Sequence, residues 1–227
     1  LSVQQERRAG RGVLKFRHRL DETGLFSDQS LAQLIDTTTR DRLVVRTPGD
    51  REPWIDGEAR HHSGAELVAA ARAGRLWISV PTADDIRYTR VMSRLMDEFA
   101  YAMGLKVLDA WAQVVIASPG LDAAFHVDSA EAMLLHVRGQ ETVQVCPPAG
   151  SVLREDRLDA ILRARAPADL PAAQVIQSAA TPVSLQPGEA AWWPLHSPHR
   201  TVNGDDLTVS VVVEFDSPQS RRANGVL

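Results

Sequence analysis

The sequence has little of what secreted and membrane proteins rely on. It contains one cysteine, Cys146, among 227 residues, so no disulfide can form within the chain, and this fits a reducing cytosol. It has neither an apolar run of membrane length nor the pattern of a secretory signal peptide. These absences predict a cytoplasmic protein in which Cys146 is a buried structural thiol at the end of a strand.

An excess of positive charge is also missing. Lys and Arg number 25 against 29 Asp and Glu, which gives a formal net charge of -4. Such a chain has no general electrostatic attraction for nucleic acid or for an anionic membrane. The clustered arginines of the N-terminal region are interpreted as a solvated edge. Nucleic acid and membranes are therefore not expected as partners, and the oligomeric state is left open.

The remaining composition is that of an ordinary globular protein. Hydrophobic residues make up 44% and charged residues 24% of the chain, as is usual for globular domains. With 227 residues, one sizeable core is expected, and neither repeats nor long linkers divide the sequence. A single domain over residues 1–227 is therefore predicted, with an α/β support region over 1–105. A β-rich region over 106–216 follows, interrupted by a helical insert at about 154–165.

Two helices of the support region are predicted from their end signals. Ser63 and Glu66 have the spacing of a capping box, and Gly74 is a suitable end for the helix that follows. A longer helix is predicted to begin with Thr82 as its cap and to run to about Met103. The apolar positions expected on one face of this longer helix are Ile86, Val91, Leu95, Phe99 and Met103.

A His-X-Asp triplet and a later histidine are the residues that most suggest chemistry. His126 and Asp128 are two positions apart, so both side chains point to one side of a strand. His199 follows far downstream. Two neutral imidazoles and one carboxylate can occupy one face of an octahedral metal, the ligand set typical of non-haem Fe(II) oxygenases. The triplet alone is equally compatible with a surface loop.

The surroundings of both motifs have the pattern of strands. Residues 132–138 are mostly apolar, Gly139 begins a turn, and residues 142–146 form a second strand-like segment. After His199, residues 207–215 are rich in β-branched side chains. This context favours the functional interpretation of the triplet.

Six short segments carry a resemblance to a known family. They are His126-Val127-Asp128, Leu134-Leu135-His136-Val137-Arg138-Gly139, Leu185-Gln186-Pro187-Gly188, Trp193-Pro194, Pro198-His199-Arg200-Thr201-Val202-Asn203 and Leu207-Thr208-Val209-Ser210. With them the sequence resembles the bacterial cupin-like group related to the JmjC oxygenases, over roughly residues 107–215. The resemblance implies an α+β, mainly β fold: a double-stranded β-helix of the jelly-roll or cupin type. It also implies N-terminal helices packed on the sheet and a helical insert between the ligand motifs.

For the site, the resemblance implies Fe(II) held by His126, Asp128 and His199, with 2-oxoglutarate as co-substrate. His196 competes for the third ligand position, but the Pro-His motif favours His199. Large aromatic residues in such barrels more often fill the core than bind substrate. The candidates for the wall of a substrate pocket are nevertheless Trp111, Trp193 and His196.

The sequence departs from the family at the co-substrate pocket. A lysine two residues after the turn glycine commonly pairs with the far carboxylate of 2-oxoglutarate, and here that position is Glu141, an anion. Other oxygenase branches use an arginine about ten residues after the last histidine, and here that position is Val209. The candidates to replace these cations are Arg138, His136 and Arg200. Of the three, Arg200 would point away from the metal unless its strand is bulged.

Two hypotheses for the function follow. The first is an Fe(II)- and 2-oxoglutarate-dependent oxygenase, a hydroxylase that acts on a protein or peptide side chain or on a small molecule. Asp128 fills the position that halogenating relatives leave open for halide, which favours hydroxylation. The second is a cupin-like metal-dependent dioxygenase, or a binding module without turnover, that does not use 2-oxoglutarate. Glu141 is the residue that keeps the second hypothesis open, because a fold alone does not define a function.

Overall fold

A computed structural model describes residues 12–46, 61–74, 76–148, 150, 153–164, 168–170 and 174–225. Within these ranges the chain forms twelve strands and six α-helices. The strands are β1 Leu14–Arg17, β2 Val44–Arg46, β3 Trp77–Pro81, β4 Asp109–Ala117, β5 His126–Val127, β6 Glu131–Arg138, β7 Glu141–Val145, β8 Ala168–Asp169, β9 Thr181–Leu185, β10 Glu189–Trp192, β11 His199–Asn203 and β12 Thr208–Asp216. The helices are α1 Asp28–Thr37, α2 Gly64–Ala73, α3 Ile86–Met103, α4 Glu155–Ala164, α5 Gln174–Ala179 and α6 Pro218–Ala223.

The strands form two antiparallel sheets that face each other. One sheet has seven strands in the order β1-β10-β6-β12-β4-β3-β2, and the other has five in the order β8-β5-β11-β7-β9. Leu134 and Ala191 of the first sheet pack against Val143 and Val145 of the second in one apolar cluster. Two sheets closed over such an interior make a double-stranded β-helix, so the predicted jelly-roll fold is confirmed.

The seven-stranded sheet carries a second, larger core on its outer face. Along β12, Val212 packs against the inner cluster, whereas Val211 and Val213 belong to the outer one. Leu34 of α1 and Phe99 of α3 are fully buried in this outer cluster. Burying one such side chain contributes roughly 1.5–3 kcal/mol. The N-terminal helices therefore pack on the outer face of the seven-stranded sheet, as predicted.

Helix α2 has the predicted end signals. The Ser63 hydroxyl accepts a hydrogen bond from the Glu66 backbone N–H, and the Glu66 carboxylate accepts one from the Ser63 backbone N–H at 2.7 Å. Gly74 follows the last helical residue. The capping box thus satisfies two N–H groups that would otherwise lack partners.

Helix α3 begins later than predicted. Its N-cap is Asp85, whose side chain accepts from the Arg87 N–H, whereas the Thr82 hydroxyl donates to the carbonyl of Ala112 in β4. Leu95 and Phe99 of the predicted apolar face are buried, and Val91 and Met103 pack against the core. Ile86, in the first turn of the helix, is 61% exposed. The side chains that it buries are Tyr88, Met92, Leu95, Met96 and Phe99.

The predicted insert is helical and covers the five-stranded sheet. Helix α4 lies within residues 154–165, and its Ile161 packs in a small core with Phe125 and Val127 at β5. Cys146 is buried in the same core, and its thiol donates to the Ile176 carbonyl at 3.3 Å. Not one of the described helices combines the length and apolar character that a membrane crossing requires.

Candidate metal centre

Two neighbouring strands bring the three predicted ligands together. His126 opens β5, His199 opens β11, and the antiparallel register sets these two residues opposite each other. Asp128 follows β5 directly. One ligand atom from each of the three lies within 4.8 Å of the others. Nε2 of His199 is 3.3 Å from Oδ2 of Asp128, and Nε2 of His126 is 3.9 Å from Oδ1.

Backbone carbonyls orient both imidazoles. Nδ1 of His126 lies 3.0 Å from the carbonyl oxygen of Ala124, and Nδ1 of His199 lies 2.9 Å from that of Ser197. A carbonyl oxygen only accepts, so each Nδ1 carries the proton and donates. This tautomer directs each Nε2 towards Asp128. It is the arrangement in which a histidine binds a metal through Nε2.

His199 and Asp128 form a buried ion pair. Burial alone would lower the pKa of His199, but the Asp128 carboxylate outweighs it and the pKa lies above its ordinary value. Burial would likewise raise the pKa of Asp128, but His199 and then His126 hold it below its ordinary value. The pair therefore holds a proton that a bound metal ion would replace.

The donor set suits a divalent transition metal. It offers two imidazole nitrogens and one carboxylate, with Asp128 at 8% and His199 at 4% exposure. Three protein ligands on one side leave positions for other ligands, as in non-haem iron sites. In the part of the chain that the structure describes, this is the one group of three or more His, Cys, Asp or Glu side chains placed to hold a metal ion.

Glu214 is a residue near this set that sequence reasoning missed. Burial and then Asp128 raise its pKa to about 7, while Trp111, its register partner on β4, opposes the shift. Glu214 and His199 also act on each other electrostatically. A signal was present in the sequence: Glu214 is a lone acid near the end of an otherwise apolar strand, in phase with the inward-facing Val212.

His136 lies inside the barrel, in a hydrogen-bonded network with Glu141 and Ser210. All three side chains are buried. Nε2 of His136 donates to the Gly139 carbonyl at 3.0 Å, and Nδ1 lies 3.1 Å from a carboxylate oxygen of Glu141. Ser210 donates its hydroxyl proton to the same carboxyl. His136, Glu141 and Ser210 are thus bound to one another inside the barrel.

Arg138 does not reach the metal ligands, because β6 contains a bulge. Val209 of β12 pairs with Arg138, but the next residue, Ser210, pairs with His136, so Val137 is an extra residue. The bulge changes the strand alternation and turns Arg138 towards α1. There its guanidinium lies 2.6 Å from the carboxylate of Asp28.

Arg200 also points away from the three ligands. It follows His199 on β11 and therefore lies on the other face of the strand. Its Nε donates to Gln144 at 2.8 Å, and its guanidinium carbon lies 5.0 Å from the centre of the Phe125 ring. None of the three predicted co-substrate residues thus presents an unengaged cation beside the metal ligands.

The three candidates for the pocket wall have different positions. The Trp193 ring lies 4.4 Å from that of His199 and is 5% exposed, so it packs beside a ligand. Trp111 is 44% exposed, which excludes a role as a core side chain. His196 has a left-handed φ of 60°, and its Nε2 lies 2.8 Å from Oδ1 of Asn224. Its spacing from His199 thus belongs to a tight turn, and it is outside the ligand group.

Comparison with known proteins identifies the fold but no family. No known protein family matches the sequence, and no curated protein matches it.

Among solved structures, Escherichia coli YcfD is 16% identical with a TM-score of 0.57, covering 92% of this chain and 50% of that one. YcfD described as a ribosomal oxygenase with cobalt and 2-oxoglutarate is 15% identical, with a TM-score of 0.53, 88% of this chain and 46% of that one. Its complex with cobalt and succinic acid is 16% identical, with a TM-score of 0.54, 86% of this chain and 45% of that one. The chain thus spans about half the length of these structures and shares their fold.

Proposed function

We propose that this chain is a non-haem Fe(II)-dependent oxygenase of the cupin and JmjC type. The observation that carries the proposal is the group of His126, Asp128 and His199, whose ligand atoms lie within 4.8 Å of one another. This donor set is the one that non-haem iron oxygenases use. YcfD, a ribosomal oxygenase with the same fold, supports the proposal.

The chain's own residues hold and orient the ion. Asp128 contributes the negative charge that partly offsets a divalent cation, and the carbonyls of Ala124 and Ser197 fix the two imidazoles. Trp193 packs against His199 and keeps water from that side. When bound, Fe(II) would supply the activation of dioxygen that no side chain provides. Since the third ligand is a carboxylate, we propose hydroxylation as the reaction.

2-Oxoglutarate is the first candidate for the co-substrate, supported by the YcfD structure that contains it. The residues described here do not fit its far carboxylate. Glu141 occupies the position expected for a cation, and its carboxyl is engaged by His136 and Ser210. Arg138 and Arg200 are engaged elsewhere. We therefore propose no reaction step that depends on 2-oxoglutarate.

The same network favours the second candidate, a cupin-type metal-dependent oxygenase that does not use 2-oxoglutarate. A buried carboxylate at position 141 repels a second carboxylate more strongly than it would in water, because the interior screens charge poorly. In either case the substrate is proposed to be a small molecule, a peptide or a protein side chain. A cytoplasmic location and the absence of nucleic acid and membrane partners remain predictions.

The test is an anaerobic titration of the metal-free protein with Fe(II), followed by 2-oxoglutarate. We expect one Fe(II) per chain, and we expect His126→Ala and Asp128→Ala to weaken its binding by more than the roughly 10–100-fold that outer contacts contribute. The visible charge-transfer band of a chelated 2-oxo acid reports the co-substrate. Iron binding without the band would favour the second candidate, and the absence of tight metal binding would overturn the proposal.

A further inference from the structure

Among the described strands, β4 has an open edge at its start. Strand β12 pairs with β4 from Asp109 to Ala117, whereas β3 pairs with it only from Gln113 to Ala117. The chain after β3 makes one more bond to β4, from the Thr82 N–H to the Ala112 carbonyl at 3.0 Å, and then turns into α3. The first residues of β4 therefore have a neighbouring strand on one side only.

The backbone of Ala110 faces this open edge. Because the Ala112 carbonyl points towards β3, strand alternation directs the N–H and the carbonyl of Ala110 to the same side. The Ala110 N–H donates to the carboxylate of its neighbour Asp109 at 2.9 Å, and no described residue donates to the Ala110 carbonyl. An exposed strand edge of this kind is a template on which another extended chain can pair.

An apolar groove adjoins the open edge. It lies between α3 and the start of β4, begins where β3 ends at Pro81, and has a volume of about 900 Å³. Sites that bind ligands usually measure roughly 300–1,000 Å³. Met92 and Met96 of α3 line the groove, and so does Leu108, which is 38% exposed. Methionine side chains adapt to the shape of an apolar partner.

The charges at the groove are balanced, which indicates what can occupy it. Asp97, Lys106 and Asp109 line it, and so does Arg42, which is paired with Asp84. Two acids and two bases favour neither an acidic nor a basic ligand. An extended polypeptide segment fits both features, because its backbone can pair with a strand edge while every second side chain enters the groove.

The open edge lies at the same end of the barrel as the metal ligands. The far ends of β4 and β11 meet, since the Gly120 N–H donates to the Gly204 carbonyl at 2.8 Å. The starts of these strands, with Trp111 on β4 and His199 on β11, are therefore both at the other end. Ala112 packs on the outer core, so its neighbour Trp111, which is 44% exposed, faces the inner side.

We propose that this edge binds an extended, uncharged segment of a polypeptide substrate, which adds a strand beside β4 in line with β3. The backbone of the segment pairs with Ala110. Its side chains opposite Ala110 and Ala112 enter the groove, and the one opposite Trp111 faces the inner side, at the end of the barrel that holds the metal ligands. The role as a substrate rests on the proposed oxygenase function, whereas the pairing does not.

The experiment selects peptides that bind the full chain from a phage-displayed library of random sequences. We expect the selected peptides to have apolar residues at every second position, and to bind two variants at least about tenfold more weakly. Ala110→Pro removes the N–H of the open edge and keeps the pairing with β12, since proline is tolerated on such an edge. Ser93→Trp brings a large side chain into the groove from an exposed position of α3.

Matched controls exist for both variants. Ala110→Ser keeps the N–H and should bind the peptides like the wild type. Arg94→Trp adds the same bulk at the next position of α3, where Arg94 is exposed and pairs with Glu98, and it should also bind like the wild type. Thermal unfolding checks that each variant is folded.

Three outcomes would overturn the pairing. The first is that no peptide is enriched. The second is unchanged affinity in Ala110→Pro, even with weaker binding to Ser93→Trp, because a ligand that only fills the groove needs no backbone contact. The third is a wild-type dimer that Ser93→Trp converts to a monomer, since the occupant would then be a second copy of this chain.

NMR tests the role as a substrate separately. Mn(II) bound by the protein should broaden the signals of a selected peptide, most strongly at the residue beside Trp111, relative to a sample with Zn(II). No broadening in a protein fully loaded with Mn(II) would overturn the substrate role and leave the pairing. Failure to take up any metal by a protein that binds the peptides would overturn the proposed oxygenase function, and with it the substrate role, but not the pairing.

Discussion

At the scale of single residues, the contacts of His18 determine its protonation state. Its Nδ1 accepts from the Leu20 N–H at 3.1 Å, and its Nε2 lies 3.2 Å from the carbonyl oxygen of Glu189. Because the first contact uses the Nδ1 lone pair and the second needs a proton on Nε2, the ring is neutral. Burial lowers its pKa to about 4. The unfolded chain therefore binds a proton at His18 near pH 6.5, whereas the folded chain binds it only near pH 4.

The consequence is a loss of stability in acid. As the pH falls from about 6.5 to 4, the unfolded state binds a proton at His18 and the folded state does not, so unfolding becomes easier by up to about 3 kcal/mol. Urea unfolding at several pH values measures this slope. His18→Gln should flatten it, although the variant is less stable at pH 7. His62→Gln, at an exposed histidine, should leave it unchanged, and an unchanged slope in His18→Gln would contradict the assignment.

Glu141 determines how well the barrel accepts a dicarboxylate. Replacing Glu141 with Gln removes the anion and leaves His136 as the nearest group that can pair with a carboxylate. We therefore expect Glu141→Gln with bound Fe(II) to bind 2-oxoglutarate at least about tenfold more tightly than the wild type. The intensity of the charge-transfer band against 2-oxoglutarate concentration gives both affinities.

A matched control for this variant is Glu22→Gln, at an exposed carboxylate that pairs with Arg19, and its affinity for 2-oxoglutarate should equal that of the wild type. Equal affinity in Glu141→Gln would place position 141 outside the co-substrate pocket. Thermal unfolding distinguishes that outcome from a misfolded variant, because a side chain this well buried contributes to packing.

At the scale of elements, the β6–β7 turn depends on one glycine. Gly139 has a φ of +89°, and a Cβ atom at this position would lie 2.7 Å from the Leu207 carbonyl oxygen. Gly139→Ala should therefore lower the free energy of unfolding by roughly 1–3 kcal/mol, as measured in urea. Gly24, with a φ of +70° and nothing within 4 Å of such an atom, is the control. Gly24→Ala should cost less, and an equal cost would show that the contact with Leu207 is unimportant.

Sequence reasoning predicts elements best where their end signals are local. The capping box of α2 depends only on Ser63 and Glu66, and both make the expected bonds. The start of α3 is different, because Thr82 and Asp85 are equally good caps in isolation. The choice between them is made by β4, whose Ala112 carbonyl accepts the Thr82 hydroxyl. A contact between elements that are far apart in sequence decides it.

At the scale of the whole molecule, the fold and the ligand group were predictable and the rest of the site was not. The spacing of His126 and Asp128 implies a shared direction, and the strand pattern implies a sheet that brings His199 to them. The position of Arg138 depends on a bulge that no local pattern indicates. Glu214 was missed because its neighbours come from three separate segments of the chain. The interpretation as a single domain over residues 1–227 stays a prediction.

The register that pairs His126 with His199 also joins two segments that are far apart in the sequence. An ion bound across this pair would close a loop of roughly 70 residues, and a covalent bridge over such a loop restricts the unfolded chain by about 4 kcal/mol. The metal would then stabilise the fold as a reversible cross-link, in addition to its role in the reaction. Its loss would therefore lower the stability of the folded chain.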